Sequence, residues 1–295
     1  DVGLQEAICA SLQEAAEQRQ RQKEAAQRAR QPISVHPDVA ETFAPFQWLS
    51  DASISFAYGR LAASNADAIA AEPGWSRSLS SSADGVHRKT SSEEVLLMDP
   101  ATAFWLAAQD DPKHVDEARD ALRLQDRELV LCPINDSIDR GRADAGTHWT
   151  LLVGWDRKEA KPNGGENASC FSGRFRYYNS LASNMQRGNS FSQARALASR
   201  LAGKNVQVSV GACAQQTNGF DCGVYVLLFS QIIARTFLQA RSQATSSGHN
   251  SVQNHLGAPK WEDQLTLVTP KEVTGHRGLH HQVLLDSVRT VAVGA

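Results

Sequence analysis

The sequence predicts an α+β fold with a central mixed sheet, because helical and β-rich segments occupy different parts of the chain. Helical patterns come first, four short β-rich runs fill the middle, and helical patterns return at the end. With 295 residues the chain is long enough for one or two domains with a sizeable core. Its 41% hydrophobic and 21% charged residues are ordinary for a globular protein.

The first 31 residues differ in composition from the rest of the chain. They are rich in Ala, Gln, Glu and Arg, and no proline precedes Pro32. This composition predicts one long helix over residues 1–31. Pro32 marks a boundary, so we assign residues 32–295 to a separate domain.

Four later segments have helical patterns. Residues 50–64 show helical spacing behind a polar cap, and residues 99–109 carry a proline near their start, where its missing N–H does no harm. Residues 190–203 end in a glycine typical of a helix C-terminus. Residues 223–238 are apolar on nearly every side, which predicts a buried helix.

Four short β-rich runs predict the strands of the sheet. They are ELVLCPI at 128–134, HWTLLVGW at 148–155, RFRYYNS at 174–180 and NVQVSV at 205–210.

Three polar segments are expected to be loops or insertions: residues 73–92, 156–170 and 241–259. The first and last are rich in Ser and Gly, so they bury too little apolar surface to offset the entropy of ordering. The second is a hairpin-like excursion.

Charge and hydropathy exclude several functions. The net charge of −2 gives no basic footprint for nucleic acid or an anionic membrane. We expect no membrane-spanning segment, because the apolar stretch after Cys222 is short and contains Gln231. The polar N-terminus predicts no secretory signal.

The cysteines fit neither a disulfide framework nor a zinc site, because they are odd in number and scattered. Reduced thiols predict a protein of the cytoplasm or nucleus. The five are Cys9, Cys132, Cys170, Cys213 and Cys222.

Cys222 stands where a polar turn meets the apolar helix. Asn218-Gly219 is a strong turn signal, and Asp221 is a good helix N-cap. Backbone N–H groups and the helix dipole should therefore favour the Cys222 thiolate and lower its pKa. A capped core helix that happens to begin with cysteine would have the same pattern.

A thiol nucleophile needs a base, a group that orients the base, and donors for the oxyanion. His148 opens a predicted strand, Asn179 closes the next one, and Gln216 lies six residues before Cys222. Each of these residue types is more often structural when it occurs alone, so spacing leaves the combination open.

The motifs HWTLLV, YYNS and QTNGFDCG resemble, in order, those of the Ulp/sentrin-specific cysteine proteases, which cut ubiquitin-like modifiers from their targets. The segments CPINDSIDRGRADAGTHWTLLV, FQWLSDASISFAYGRLA and LTLVTPKEVTGHRG look most like the deneddylase branch. The resemblance spans roughly residues 46–291 and implies a papain-like fold of the Ulp type.

By this resemblance Cys222 is the nucleophile, His148 the general base and acid, and Gln216 an oxyanion donor together with the backbone N–H of Cys222. Asn179 stands where the family usually has Asp. A neutral amide can hold the imidazole tautomer but cannot stabilise the imidazolium by charge, so we expect a slower enzyme. Thiol acyl transfer needs no metal or cofactor, and we expect none.

Trp48 and Trp149 match family tryptophans that sandwich the modifier's diglycine tail. The slot between two flat indoles is too narrow for side chains, so only Gly-Gly fits. Asp51 matches a position that reads a basic residue on the modifier. An ordinary core aromatic at Trp48 and a helix N-terminal carboxylate at Asp51 are the structural alternatives.

The N-terminal helix contains LQEAICASLQE, in which Leu4, Ala7 and Ser11 have the spacing of a ubiquitin-interacting motif. Leu4, Ala7 and Ser11 share one helical face. An amphipathic Ala/Gln/Glu helix without a ligand would have the same pattern.

Together these features predict a monomeric isopeptidase or processing protease for a Nedd-type modifier and its conjugates, such as neddylated cullins, with ubiquitin as a second partner of the N-terminal helix. The alternatives are a desumoylase, a deubiquitinase, or a pseudoenzyme that binds a modifier without cutting it.

Overall fold

The computed structural model describes residues 37–63, 94–139, 146–155, 171, 173–181, 188–246 and 261–293. Over these ranges the chain forms helices α1 Pro37–Thr42, α2 Asp51–Ala63, α3 Pro100–Ala108, α4 Pro112–Ala121, α5 Asn189–Ala202, α6 Cys222–Ser246, α7 Trp261–Thr266 and α8 Pro270–Val293. The strands are β1 Val95–Leu97, β2 Leu129–Asn135, β3 Trp149–Trp155, β4 Arg174–Tyr178 and β5 Val208–Val210.

The strands form one mixed sheet in the order β1-β2-β3-β4-β5. β2, β3 and β4 are antiparallel neighbours, while β1 and β5 add in parallel at the two edges. Asn135 lies opposite Trp149, and Tyr178 lies opposite Leu151. The end of β2, the start of β3 and the end of β4 therefore lie side by side at one end of the central strands.

Two hydrophobic cores cover the faces of the sheet. One contains the buried side of α6 together with α1, α2, α7 and α8, and the other contains α3, α4 and α5. Every residue of β2 and β3 is buried, which is why these strands are mostly apolar instead of alternating, with Asn135 and Thr150 as their polar members. The α+β fold with a central mixed sheet flanked by helices is confirmed.

Helix α6 is the central helix of the first core. Its segment Cys222–Arg241 spans 20 residues and is long and apolar enough to cross a membrane by length and composition, so the expectation that this stretch is too short is wrong. Within the part of the chain that the structure describes, 72% of the apolar window is buried inside the fold. Packing against the sheet is sufficient to explain its composition.

Local signals explain where several helices begin and end. Asp99 Oδ1 accepts from the backbone N–H groups of Ala101 and Thr102, at 2.9 and 3.3 Å, ahead of the first proline of α3. Gly203 ends α5 in the left-handed region at φ 68°, as its C-cap position predicted.

Helix α6 extends to Ser246, six residues into the stretch expected to be a polar insertion at 241–259. Arg241 explains the start of this extension, because it pairs with Glu94 at 3.1 Å and Glu128 at 3.0 Å. Residues 247–259, the segments 73–92 and 156–170 and the predicted N-terminal helix at 1–31 lie outside the described residues.

Candidate active site

The thiol of Cys222 lies at the first residue of α6 and is only 2% exposed. Burial raises its pKa, and the nearby Asp136 carboxylate adds to the effect. Hydrogen bonds from the backbone N–H groups of Trp149, Gly223 and Cys222 itself act in the opposite direction but are the smaller influence. The predicted lowering of the pKa is therefore wrong, although the expected helix-start donors do point at the sulfur.

The turn before Cys222 is built around Asn218. Its Oδ1 accepts from the backbone N–H groups of Phe220 and Asp221, at 3.1 and 3.0 Å, which folds the chain back before the helix. The Asp221 carboxylate does not serve as the expected N-cap: one oxygen accepts from Asn218 Nδ2 at 2.8 Å, and the other from Arg277.

His148 and Asn179 are brought together by the strand register. His148 Nε2 lies 2.7 Å from Asn179 Oδ1, and the backbone N–H of Leu181 donates to the same oxygen at 2.8 Å. The Leu181 bond identifies Oδ1 as the acceptor atom, so Nε2 carries the proton that it donates. Nδ1 is then the basic nitrogen of the neutral ring.

The backbone around His148 is held by Asp136, which the sequence reasoning did not single out. Asp136 Oδ1 accepts from the N–H groups of Thr147 and His148, at 2.6 and 3.0 Å. This close approach requires a glycine at Gly146, because a Cβ there would lie 1.5 Å from Asn135 Oδ1. The motif IND and the glycine before His148 were the available sequence signals.

Gln216 is buried beside the end of β4, where its backbone N–H donates to the carbonyl of Ser180. Its Oε1 accepts from the Ser180 hydroxyl at 2.7 Å, and its Nε2 donates to the carbonyl of Asn218 at 2.7 Å. Because a side-chain amide nitrogen carries two hydrogens, Nε2 keeps a second N–H for an oxyanion.

The two tryptophans occupy different environments. Trp48 is 46% exposed, whereas Trp149 is 5% exposed. The Trp149 indole N–H donates to the carbonyl of Leu49 at 2.9 Å, which ties the start of β3 to the residue next to Trp48. A Cβ on Gly223 would lie 2.9 Å from Leu49 Cβ, so α6 also packs closely here. Leu49 therefore links the Trp48 segment to both the start of β3 and the start of α6.

Asp51 is the first residue of α2 and is half-buried. This position favours a carboxylate through the helix dipole whether or not it also contacts a ligand. Both interpretations of Asp51 stay predictions. Leu4, Ala7 and Ser11 lie outside the described residues.

A thiol at a helix start, an imidazole with a basic Nδ1 and an amide that orients the imidazole are the groups that thiol-dependent acyl transfer requires. The chain belongs to the Ulp1 protease family, because residues 88–256 match the C-terminal catalytic domain of that family. It is therefore a cysteine peptidase by family.

Among curated proteins, the chain is 29% identical to NEDD8-specific protease 1 of Arabidopsis thaliana over 150 residues, which is 50% of this chain. The chain spans only 59% of the length of that relative. It is 23% identical to human Sentrin-specific protease 8 over 181 residues, covering 61% of this chain and 78% of the human protein.

A solved de-sumoylating protease has a similar fold, with a TM-score of 0.50, 16% identity and 88% of each chain covered. At this identity the similarity shows the fold alone.

Proposed function

We propose that the protein is a thiol isopeptidase or processing protease that cleaves after the C-terminal diglycine of a Nedd-type modifier. The observation that carries the proposal is the 2.7 Å contact between His148 and Asn179. The backbone N–H of Trp149, the residue after His148, donates to the Cys222 sulfur, which brings the two parts of the site together. Two relatives carry NEDD8-specific protease 1 as their name, in Arabidopsis thaliana and Schizosaccharomyces pombe, which favours the Nedd-type modifier.

The first step is acylation of Cys222. His148 Nδ1 takes the thiol proton as the sulfur attacks the carbonyl carbon of the terminal glycine. The oxyanion that forms accepts hydrogen bonds from the second N–H of Gln216 and the backbone N–H of Cys222. The protonated His148 then donates its proton to the leaving lysine amine as the isopeptide bond breaks.

The second step is hydrolysis of the thioester. His148 takes a proton from water, the water oxygen attacks the thioester carbonyl, and the carbon–sulfur bond breaks. The protonated His148 returns its proton to the leaving sulfur, so that Cys222 is again a thiol and the imidazole is neutral. The modifier leaves as a carboxylic acid, which loses its remaining proton to solvent. Throughout both steps Asn179 accepts from Nε2–H and keeps Nδ1 facing the reaction.

The raised pKa of Cys222 fits a neutral resting thiol. Proton transfer to His148 then accompanies attack, instead of preceding it as a preformed ion pair. The Trp48 and Trp149 indoles bind the flat diglycine tail, and Asp51 pairs with a basic residue of the modifier. We also propose that the protein acts in the cytoplasm or nucleus, where thiols such as those of Cys132, Cys213 and Cys222 stay reduced.

Covalent capture tests the proposal. Nedd-type, SUMO-type and ubiquitin modifiers, each ending in a C-terminal electrophile, are incubated with the full chain and with Cys222→Ala. We expect an adduct that forms fastest with the Nedd-type modifier and is absent in Cys222→Ala, whereas Cys213→Ser keeps it. No adduct with any modifier would contradict the proposed activity and favour a binding pseudoenzyme; a faster SUMO or ubiquitin adduct would reassign the modifier.

A second proposal concerns residues 4–14, which we propose bind ubiquitin weakly through Leu4, Ala7 and Ser11. The supporting observation is their helical spacing in the sequence. A peptide of residues 1–20 is titrated into labelled ubiquitin and should shift resonances around its apolar patch. Unshifted resonances at millimolar peptide would end this proposal.

A further inference from the structure

Arg277 lies in α8 and is 4% exposed, yet each of its five N–H groups has an acceptor. Nε and Nη2 donate to Asp221 Oδ1 at 3.1 and 2.9 Å, and Nη2 also donates to the carbonyl of Phe220 at 3.1 Å. Nη1 donates to the carbonyls of Thr42 and Ala44, both at 3.1 Å. One buried guanidinium therefore joins three separate parts of the chain.

One side of this contact set ends at the nucleophile. Asp221 and Phe220 are the two residues immediately before Cys222. The second Asp221 oxygen accepts from Asn218, so the carboxylate is held at both oxygens. The direction in which α6 begins, and with it the position of the sulfur, depends on these bonds.

The other side ends at the segment that carries Trp48. Thr42 and Ala44 lead into Phe46, whose φ of 67° places a bulky residue in the left-handed region. The Phe46 ring packs edge-on against Phe220 at 5.4 Å between centroids. The Arg277 guanidinium lies 6.0 Å from the same Phe220 ring. Arg277 and Phe220 therefore both hold the strained backbone at Phe46, two residues before Trp48.

We propose that Arg277 is a positioning residue that fixes the nucleophile turn and the Trp48 segment in one arrangement, so that a modifier tail bound at Trp48 reaches the Cys222 sulfur. The inference rests on the proposed function, because it concerns how that site is aligned. Lysine cannot replace the guanidinium, since a single ammonium has three donors and no planar fork with which to contact both sides.

The test compares Arg277→Lys with Arg119→Lys in the full chain. Arg119 is a matched control: it is 9% exposed in α4, its Nε donates to the carbonyl of Arg200 at 2.6 Å, and it pairs with Asp116. Capture by the electrophile-ended Nedd-type modifier is followed over time at a temperature where circular dichroism shows each variant folded. The amplitude counts competent sites, and the rate constant reports how well each site is aligned.

We expect Arg277→Lys to lower the rate constant at saturating modifier by about 10- to 100-fold, the effect of misplacing reacting atoms by about 1 Å. Its half-saturating modifier concentration should rise, because the Trp48 segment shifts as well. Arg119→Lys should keep the wild-type rate constant whatever its melting temperature. Asp221→Asn, which keeps an acceptor oxygen but removes its charge, should fall between wild type and Arg277→Lys.

A purely structural role would give a different pattern. Reduced amplitude or melting temperature with a wild-type rate constant in Arg277→Lys would overturn the inference and leave the proposed function intact. If Arg277→Lys does not fold, a wild-type rate constant in Asp221→Asn overturns it equally. Failure of the wild-type chain to be captured would contradict the proposed function itself.

Discussion

Replacing Asn179 with Asp tests the electrostatics of the candidate site directly. The new carboxylate would keep both hydrogen bonds that Asn179 Oδ1 accepts, from His148 Nε2 at 2.7 Å and from the Leu181 N–H at 2.8 Å. The geometry is therefore conserved while a negative charge is added in direct contact with the imidazole. Any change in reactivity then reports charge.

The size of the effect follows from distance and burial. Opposite charges about 4 Å apart attract by about 4 kcal/mol at an effective dielectric constant of about 20. Asn179 is buried, so desolvation of the new carboxylate offsets part of that attraction. A net gain of about 1.4 to 3 kcal/mol for the imidazolium–thiolate pair corresponds to about one to two pH units.

The assay is the rate of covalent capture as a function of pH. In the wild type the raised pKa of Cys222 makes capture faster as pH rises. In Asn179→Asp the imidazolium is stabilised, the thiolate forms more readily, and the midpoint should move about one to two units toward lower pH. Asn189→Asp adds the same charge at the exposed start of α5, across the sheet, and should leave the midpoint in place.

An unchanged midpoint in Asn179→Asp, or one that moves toward higher pH, would refute the reasoning. It would mean that the His148–Asn179 contact does not control the charge state of Cys222 in the working enzyme.

Further predictions concern an oxyanion donor, a backbone contact and acid stability. Gln216→Ala should cost about 2.7–4 kcal/mol in transition-state stabilisation, measured as a loss in kcat without a matching rise in KM. Gly146→Ala should slow capture and lower the free energy of unfolding by about 1–3 kcal/mol, since a Cβ there would lie 1.5 Å from an amide oxygen, whereas Gly275→Ala, with no atom within 4 Å, should not destabilise the fold. Burial lowers the pKa of His276 to about 4, and it also lowers the pKa of the adjoining His280. Because the folded state holds both imidazoles neutral, the free energy of unfolding should be highest above about pH 6.5 and should fall as pH drops toward 4. The loss for His276 alone should be about 3 kcal/mol. Urea unfolding at pH 7 and pH 5 checks this, and a slope that persists in a variant lacking both imidazoles would contradict it.

The central strands and helices α2, α3, α5 and α6 were predictable because their signals are local, whereas α4 and α8 were not predicted. β2 and β3 are runs of seven buried residues bounded by polar segments, and α3 has both a capping Asp99 and a proline at its start. β1 has only three residues, too few for a period to appear, and it forms because it pairs in parallel with β2. Its position depends on a contact between distant segments.

The candidate site divides in the same way. The sequence motifs indicated His148, Asn179, Gln216 and Cys222, and the structure places His148 against Asn179. The direction of the Cys222 pKa shift was not predictable, because helix-start N–H groups are a local feature whereas burial depends on everything packed around the sulfur.

Asp136 and Arg277 were missed for a related reason. Asp136 acts on the backbone of His148 across the sheet, and Arg277 reaches Asp221 from 56 residues away. Neither arrangement leaves a periodic pattern in the sequence, although both residues lie in segments that resemble the deneddylase branch.

The Arg277 contacts also have a consequence for biogenesis. Its guanidinium donates to the carbonyl of Thr42, 235 positions away along the chain, and such long-range contacts carry a loop-closure entropy cost before they stabilise the fold. A chain that has not closed this loop would lack the alignment of Cys222 that we propose for Arg277. We therefore expect Cys222 to gain the proposed reactivity only in chains that have completed folding.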